Sequence, residues 1–92
     1  MIRVLVLYEN EPDPAEYERH VELSEKVEGA TFRHGKVFGS PMGEPKYAYY
    51  AEFEFPDRDA FKAAARTEEF AETGRHAATL GTPFEVLFAD VS

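Results

Sequence analysis

Tyr17, His20 and Ser24 recur at intervals of three and four residues, which places a phenol, an imidazole and a hydroxyl on one stripe of a helix. An imidazole held in apolar surroundings changes protonation near neutral pH, so His20 is a candidate general acid or base. Tyr17, one turn away, can orient that ring or hydrogen-bond a ligand, and Ser24 can bond a ligand oxygen. Each residue also has a plainer reading. His20 can be a structural histidine bonded to a backbone carbonyl or to Tyr17, and Tyr17 can be core with its hydroxyl at a wet edge. A serine triad is excluded, because no Gly-x-Ser-x-Gly turn surrounds any serine.

Eight phenylalanines and five tyrosines could line a pocket for a flat or bulky apolar compound, or simply fill the core and an interface. Tyr49 and Phe61 are the aromatic candidates for ligand contact, Tyr49 as a positioning partner of Tyr17. Glu52 and Glu54 on one strand face, with His34 as a third ligand, invite a metal reading. Spacing motifs such as His-Glu-x-x-His are absent, so no metal is expected. Haem would need a histidine ligand, and beyond His20 nothing favours it. No cofactor is expected. Glu52 is better read as the ion-pair partner of Arg3 on the neighbouring strand, or of a basic residue on the second.

The stripe belongs to a helix spanning residues 13–29. Asp13 suits the N-cap, Pro14 the first helical position, Glu16 the capping-box carboxylate, and Gly29 the left-handed terminator. At about 100° per residue, Tyr17, His20, Val21, Leu23, Ser24 and Val27 face inward. Glu18, Glu22, Glu25 and Lys26 face water. Residues 2–8 are apolar on both faces, which reads as a central strand. Alternation predicts further strands over residues 30–39, 47–55 and 83–89, with a loop over 40–46 that carries two prolines and a glycine. Between the last two strands, Asp57 and Thr67 offer caps for one kinked helix or two short ones. These place Phe61, Ala64, Ala65, Phe70, Gly74, Ala77 and Ala78 inward, and end near Gly81 and Pro83.

The order β-α-β-β-α-β with right-handed crossovers predicts a ferredoxin-like α+β sandwich with a four-stranded antiparallel sheet. One sheet face lies under the helices. The other cannot be wholly solvated, because both faces of the first strand are largely apolar, and a second copy packed face to face would cover it. The 92 residues make a single domain, small enough for stability to lean on such a homodimer.

Composition narrows the partners. Eighteen acidic against ten basic residues give a net charge of −8, which repels phosphate backbones and anionic lipid. Nucleic acid and membrane are therefore not expected. The absence of cysteine excludes disulfides, thiol catalysis and iron–sulfur clusters. Residues 2–8 are too short for a membrane span, are interrupted by Arg3 and lack a following cleavage site, so a cytoplasmic location is the default expectation.

Three stretches together resemble the EthD family, named for ethyl tert-butyl ether degradation and grouped with the dimeric α+β-barrel proteins. They are Tyr17-x-x-His20-x-x-Leu23 with Val27-Glu28-Gly29; Lys36-Val37-Phe38-Gly39-Ser40-Pro41 with Gly43; and Ala51-Glu52-Phe53-Glu54-Phe55 with Asp57 and the alanine-rich helix up to Phe70. The resemblance runs nearly end to end. It implies a homodimer whose two sheets form a barrel, with a ligand cavity in each subunit between sheet and helices. His20 matches the family histidine of the first helix and Glu52 the third-strand carboxylate. Val21-Glu22 departs from the apolar or proline-containing segment usual after that histidine. The family is similar to cofactor-free monooxygenases and muconolactone-type isomerases. The expectation is a protein that binds a small apolar or aromatic molecule beside His20, with Tyr17, Ser24, Tyr49 and Phe61 in contact. It is either a cofactor-independent oxidoreductase or isomerase, or a non-catalytic binding or assembly module.

Overall fold

A computed structural model describes residues 1–91. The elements follow as β1 (Ile2–Tyr8), α1 (Pro14–Glu25), β2 (Thr31–Lys36), β3 (Tyr49–Phe55), α2 (Arg58–Ala65), α3 (Glu68–Ala77) and β4 (Phe84–Asp90). The strands form one antiparallel sheet in the order β2-β3-β1-β4, the ferredoxin-like arrangement.

Local chemistry explains the boundaries. Asp13 caps α1, its Oδ1 accepting from the N–H groups of Ala15 (3.0 Å) and Glu16 (3.2 Å). Gly29 takes the left-handed φ of 82°, but it does not terminate α1, which has already ended at Glu25 with Lys26 as its cap, so Gly29 turns the chain toward β2 instead. The second helical region is two helices. Thr67 separates them, donating from Oγ1 to the Ala64 carbonyl (2.7 Å) and accepting at the same oxygen from the Phe70 N–H (3.2 Å). One hydroxyl thus closes α2 and opens α3.

β2 is shorter than its alternation suggests. Its ladder with β3 stops at Lys36↔Tyr49, after which only the Val37 N–H reaches across, to the Ala48 carbonyl (2.9 Å). An edge strand has no second neighbour to prolong it, and the glycines and prolines that follow turn the chain away. Phe38 and Met42 are left fully exposed.

β1 sits between β3 and β4, and its side chains alternate. Ile2, Val4, Val6 and Tyr8 are buried under the helices, whereas Arg3, Leu5 and Leu7 are half-buried on the opposite face. Val4, Phe53, Phe55, Ala64 and Val27 form one core cluster, and Val6, Tyr8, Tyr17, Ala51 and Leu80 another. In β4, Phe84, Val86 and Phe88 lie opposite Tyr8, Val6 and Val4, so they share the helix-side face. They nonetheless remain exposed to between 36% and 67%, which leaves an open apolar shelf along this edge.

The opposite face joins apolar and charged residues. Arg3 donates from Nη2 to Glu54 Oε1 (3.1 Å) and lies 3.6 Å from Glu52 through Nε, while Arg33 reaches Glu54 from β2 (3.4 Å). Glu52 is buried even in the isolated chain, and it does pair with Arg3.

Replacing Asp13 by alanine should strip two N–H groups of their acceptor and lower the unfolding free energy by about 1 kcal/mol. Urea denaturation would measure this as a lower midpoint with an unchanged slope. No change would mean that α1 is held by packing alone.

Candidate functional site

His20 faces inward from α1 and is only 3% exposed. Two groups converge on it. The Tyr8 hydroxyl, from β1, lies 3.5 Å from Nε2, and His76, from the last turn of α3, brings its own Nδ1 to 3.1 Å from Nδ1 of His20. The two imidazole planes are nearly parallel, 14° apart. Two nitrogens at that distance form a hydrogen bond only when one of them carries the proton. Beyond His76, Glu16 holds a carboxylate oxygen 4.0 Å from Nε2, at the solvent side. A line of titratable groups therefore runs from the surface of α1, through α3, into the core.

Burial lowers the His20 pKa to about 4, with His76 and then His34 adding to the effect, so at neutral pH the ring is uncharged. Burial raises Tyr8 to about 12, which keeps its phenol protonated. Tyr17 is likewise pushed up, by burial first and then by Tyr8 and Tyr49.

Tyr8 and His20 lie on the wall of a cavity of about 120 Å³ between the sheet and α3. Val4, Val6 and Phe53 form its floor, and Phe70, Thr73, Gly74 and Ala77 its helical side. Phe84, Val86 and Phe88 stand at its open edge. Thr73 offers no free donor, since its hydroxyl already bonds the Phe70 carbonyl (2.6 Å). The polar chemistry of this cavity is concentrated at Tyr8 and His20.

The other sequence-derived candidates lie elsewhere. Tyr17 meets Tyr8 edge-on (5.8 Å between centroids) and Tyr49 at 4.9 Å. It lines a second hollow, together with Glu11, Pro14, Val21, His34 and Tyr49. There the Tyr49 hydroxyl lies 3.0 Å from Nδ1 of His34. Ser24 is 1% exposed, its hydroxyl without a hydrogen-bond partner among the described residues, and it does not line the cavity. Phe61 packs against Phe55 and Phe88 in the α2 half of the core (5.6 and 5.2 Å) and approaches the cavity only through Phe88. Of the five candidates, His20 alone reaches the cavity wall. Among the described residues, no three histidine, aspartate or glutamate side chains gather as a metal site, and no helix is long and apolar enough to cross a membrane.

Sequence reasoning missed Tyr8 and His76. Tyr8 ends an apolar strand and reads as core. His76 follows Thr73 by three residues and precedes Leu80 by four, a spacing that marks the inward stripe of α3.

The fold and cavity define a class: a ferredoxin-like α+β protein with an apolar hollow between sheet and helices. Within that class, the chain's likeness to the EthD family holds over its whole length. An EthD family protein from Bacillus halodurans C-125 superposes with a TM-score of 0.82 at 25% identity, covering 100% of this chain and 99% of that one. A dimeric ferredoxin-like protein of unknown function from Jannaschia sp. CCS1 matches at 0.70 and 22% identity, over 98% of both chains. SnoaB, a cofactor-independent oxygenase from Streptomyces nogalater, shares the fold at 0.63 and 18% identity, over 99% of this chain and 92% of that one. No protein-family model and no curated protein matches the sequence.

The buried neutral His20 has a consequence for stability. Its ordinary pKa is 6.5 and its folded value about 4, so between those values the unfolded chain binds a proton that the native state refuses. Stability should therefore fall as pH drops through that window, and His20→Gln should flatten the upper part of the decline, above the range where carboxylates titrate. Urea midpoints measured across the window check this. Equal slopes in the two proteins would show that His20 accepts its proton in the folded state without penalty.

Proposed function

We propose that this chain works as a homodimer that binds a small apolar, ring-bearing organic molecule in the cavity beside His20, with His20 as the acid–base group. The observation that carries the reading is a neutral imidazole on an otherwise apolar wall, met by polar groups from two further elements. A histidine that merely filled the core would not need a hollow next to it. The cavity, about 120 Å³, suits one ring or a short aliphatic portion, and the exposed Phe84 and Phe88 extend the apolar surface for the rest of a larger ligand. The shared fold of SnoaB, a cofactor-independent oxygenase, supports proton-transfer or oxygenation chemistry of the same cofactor-free kind.

A second reading is favoured by one observation: Tyr17, Ser24 and Tyr49, the polar groups expected to hold a ligand, do not line this cavity. In that reading the protein is a non-catalytic binding or assembly module and His20 is structural. One variant separates the two. His20→Asn keeps polar contacts at similar size, so a catalytic role predicts lost turnover with ligand binding and dimerisation retained. A structural role predicts a loss of about 1–3 kcal/mol in stability through an unsatisfied buried partner, with ligand handling unaltered. The ligand comes from a thermal-shift screen of aromatic and ether compounds, and melting temperature and turnover are then measured on the same variant.

The homodimer is supported by the half-buried Leu5 and Leu7, by the Arg3–Glu52–Glu54–Arg33 cluster on the uncovered face, and by the dimeric Jannaschia neighbour. A cytoplasmic setting completes the reading. Sedimentation at micromolar concentration should show a dimer. Glu52→Ala leaves Arg3 without one of its partners at the interface and should weaken dimerisation by at least about tenfold. A stable folded monomer of the native chain would overturn the barrel arrangement, and an unchanged dissociation constant in the variant would place Glu52 outside the interface.

A further inference from the structure

We infer that Glu16 and His76 act as positioning residues that hold His20 as the Nδ1–H tautomer, so that the cavity presents a bare Nε2 acceptor and selects apolar rings bearing a hydroxyl donor. The inference rests on the ligand reading above and specifies what that ligand must carry.

The argument follows the protons. The Nδ1 atoms of His20 and His76 are 3.1 Å apart, so one proton is shared between them. Which ring owns it is decided further out. Nε2 of His76 lies at ion-pair distance (4.0 Å) from the Glu16 carboxylate, which can only accept. A proton on that Nε2 is favoured, and a His76 ring that carries its one proton there offers Nδ1 as an acceptor. The shared proton then belongs to Nδ1 of His20, and Nε2 of His20 is bare in turn. That assignment agrees with its neighbour, because the Tyr8 hydroxyl lies 3.5 Å from Nε2, at the long limit of a hydrogen bond, and as a protonated phenol can donate to it until a ligand hydroxyl takes its place.

The other groups around His20 do not oppose the arrangement. Tyr17 and Tyr8 are both phenols held protonated by burial, and His34 is engaged with Tyr49. When Nε2 takes a proton from a ligand O–H, the N–H bond at Nε2 forms as the O–H bond breaks. The Nδ1 proton of His20 can pass to Nδ1 of His76, moving the positive charge toward Glu16 and water. Glu16 and His20 stand one turn apart on α1, and α3 brings His76 against both.

The test uses the full chain, labelled with nitrogen-15, at neutral pH. Long-range proton–nitrogen spectra should show His20 protonated at Nδ1 and bare at Nε2, with a nitrogen–nitrogen coupling across the hydrogen bond to Nδ1 of His76. Phenol and anisole, rings of similar size that differ in the donor, should bind with phenol favoured by about fivefold. In His76→Phe, which keeps a flat ring but removes the acceptor, His20 should shift toward the Nε2–H tautomer and the preference should fall toward unity. A merely structural His76 would lower the melting temperature and leave both readouts in place. An Nε2–H tautomer in the native chain overturns the inference, and needs no variant to fold. Equal binding of the two rings overturns the selectivity. If neither ring binds, the ligand half falls together with the cavity reading, while the coupling still decides the positioning half.

Discussion

Both faces of β1 must leave water, and the architecture is the response to that demand. Ile2, Val4, Val6 and Tyr8 go under the helices, while Arg3, Leu5 and Leu7 go to the other side. Strand pairing on both edges satisfies the backbone of β1, but only layers above and below can satisfy its side chains. The helices supply one layer. They stop short of β4, and the hollow arises where cover runs out. The proposed site is therefore a by-product of incomplete roofing over one edge of the sheet, with His20 and Tyr8 at the margin of what is roofed.

The same layer sets the electrostatics. Removing His20 from water makes its charged form costly, and placing a second imidazole against it adds to that cost. A lone buried histidine would then be an inert filler. Contact with His76, which reaches toward Glu16, gives it instead a connection to the surface that does not cross the apolar cavity. The Tyr8 contact at Nε2 and the His76 contact at Nδ1 occupy opposite sides of one ring.

Much of this was legible in the sequence. The Asp13 cap, the inward stripe of Tyr17, His20 and Ser24, and the Arg3–Glu52 pairing all follow from local rules: capping, helical period and strand adjacency. What was not legible depends on distant partners. The end of β2 is decided by where its single neighbour stops pairing, which alternation within β2 cannot reveal. His76 sits in the last turn of a short helix, where a basic residue is ordinarily read as complementing the helix dipole. Its inward role appears only once α1 is laid beside it. The dispersal of Tyr17, Ser24, Tyr49 and Phe61 has the same origin. A helical wheel reports which residues face inward, but not which of several inward spaces each one meets.

The pairing of β1 with β4 joins Ile2 to Asp90, nearly the full length of the described chain. Contacts of such separation are slow to form, because a long loop must close before any of them is rewarded. During synthesis β1 emerges first, and it waits with an apolar edge unpaired until β4 has been made. The strong negative charge of the chain, −8 overall, bears on that interval. Like-charge repulsion of this size opposes close approach of two copies whose β1 still has only one neighbour.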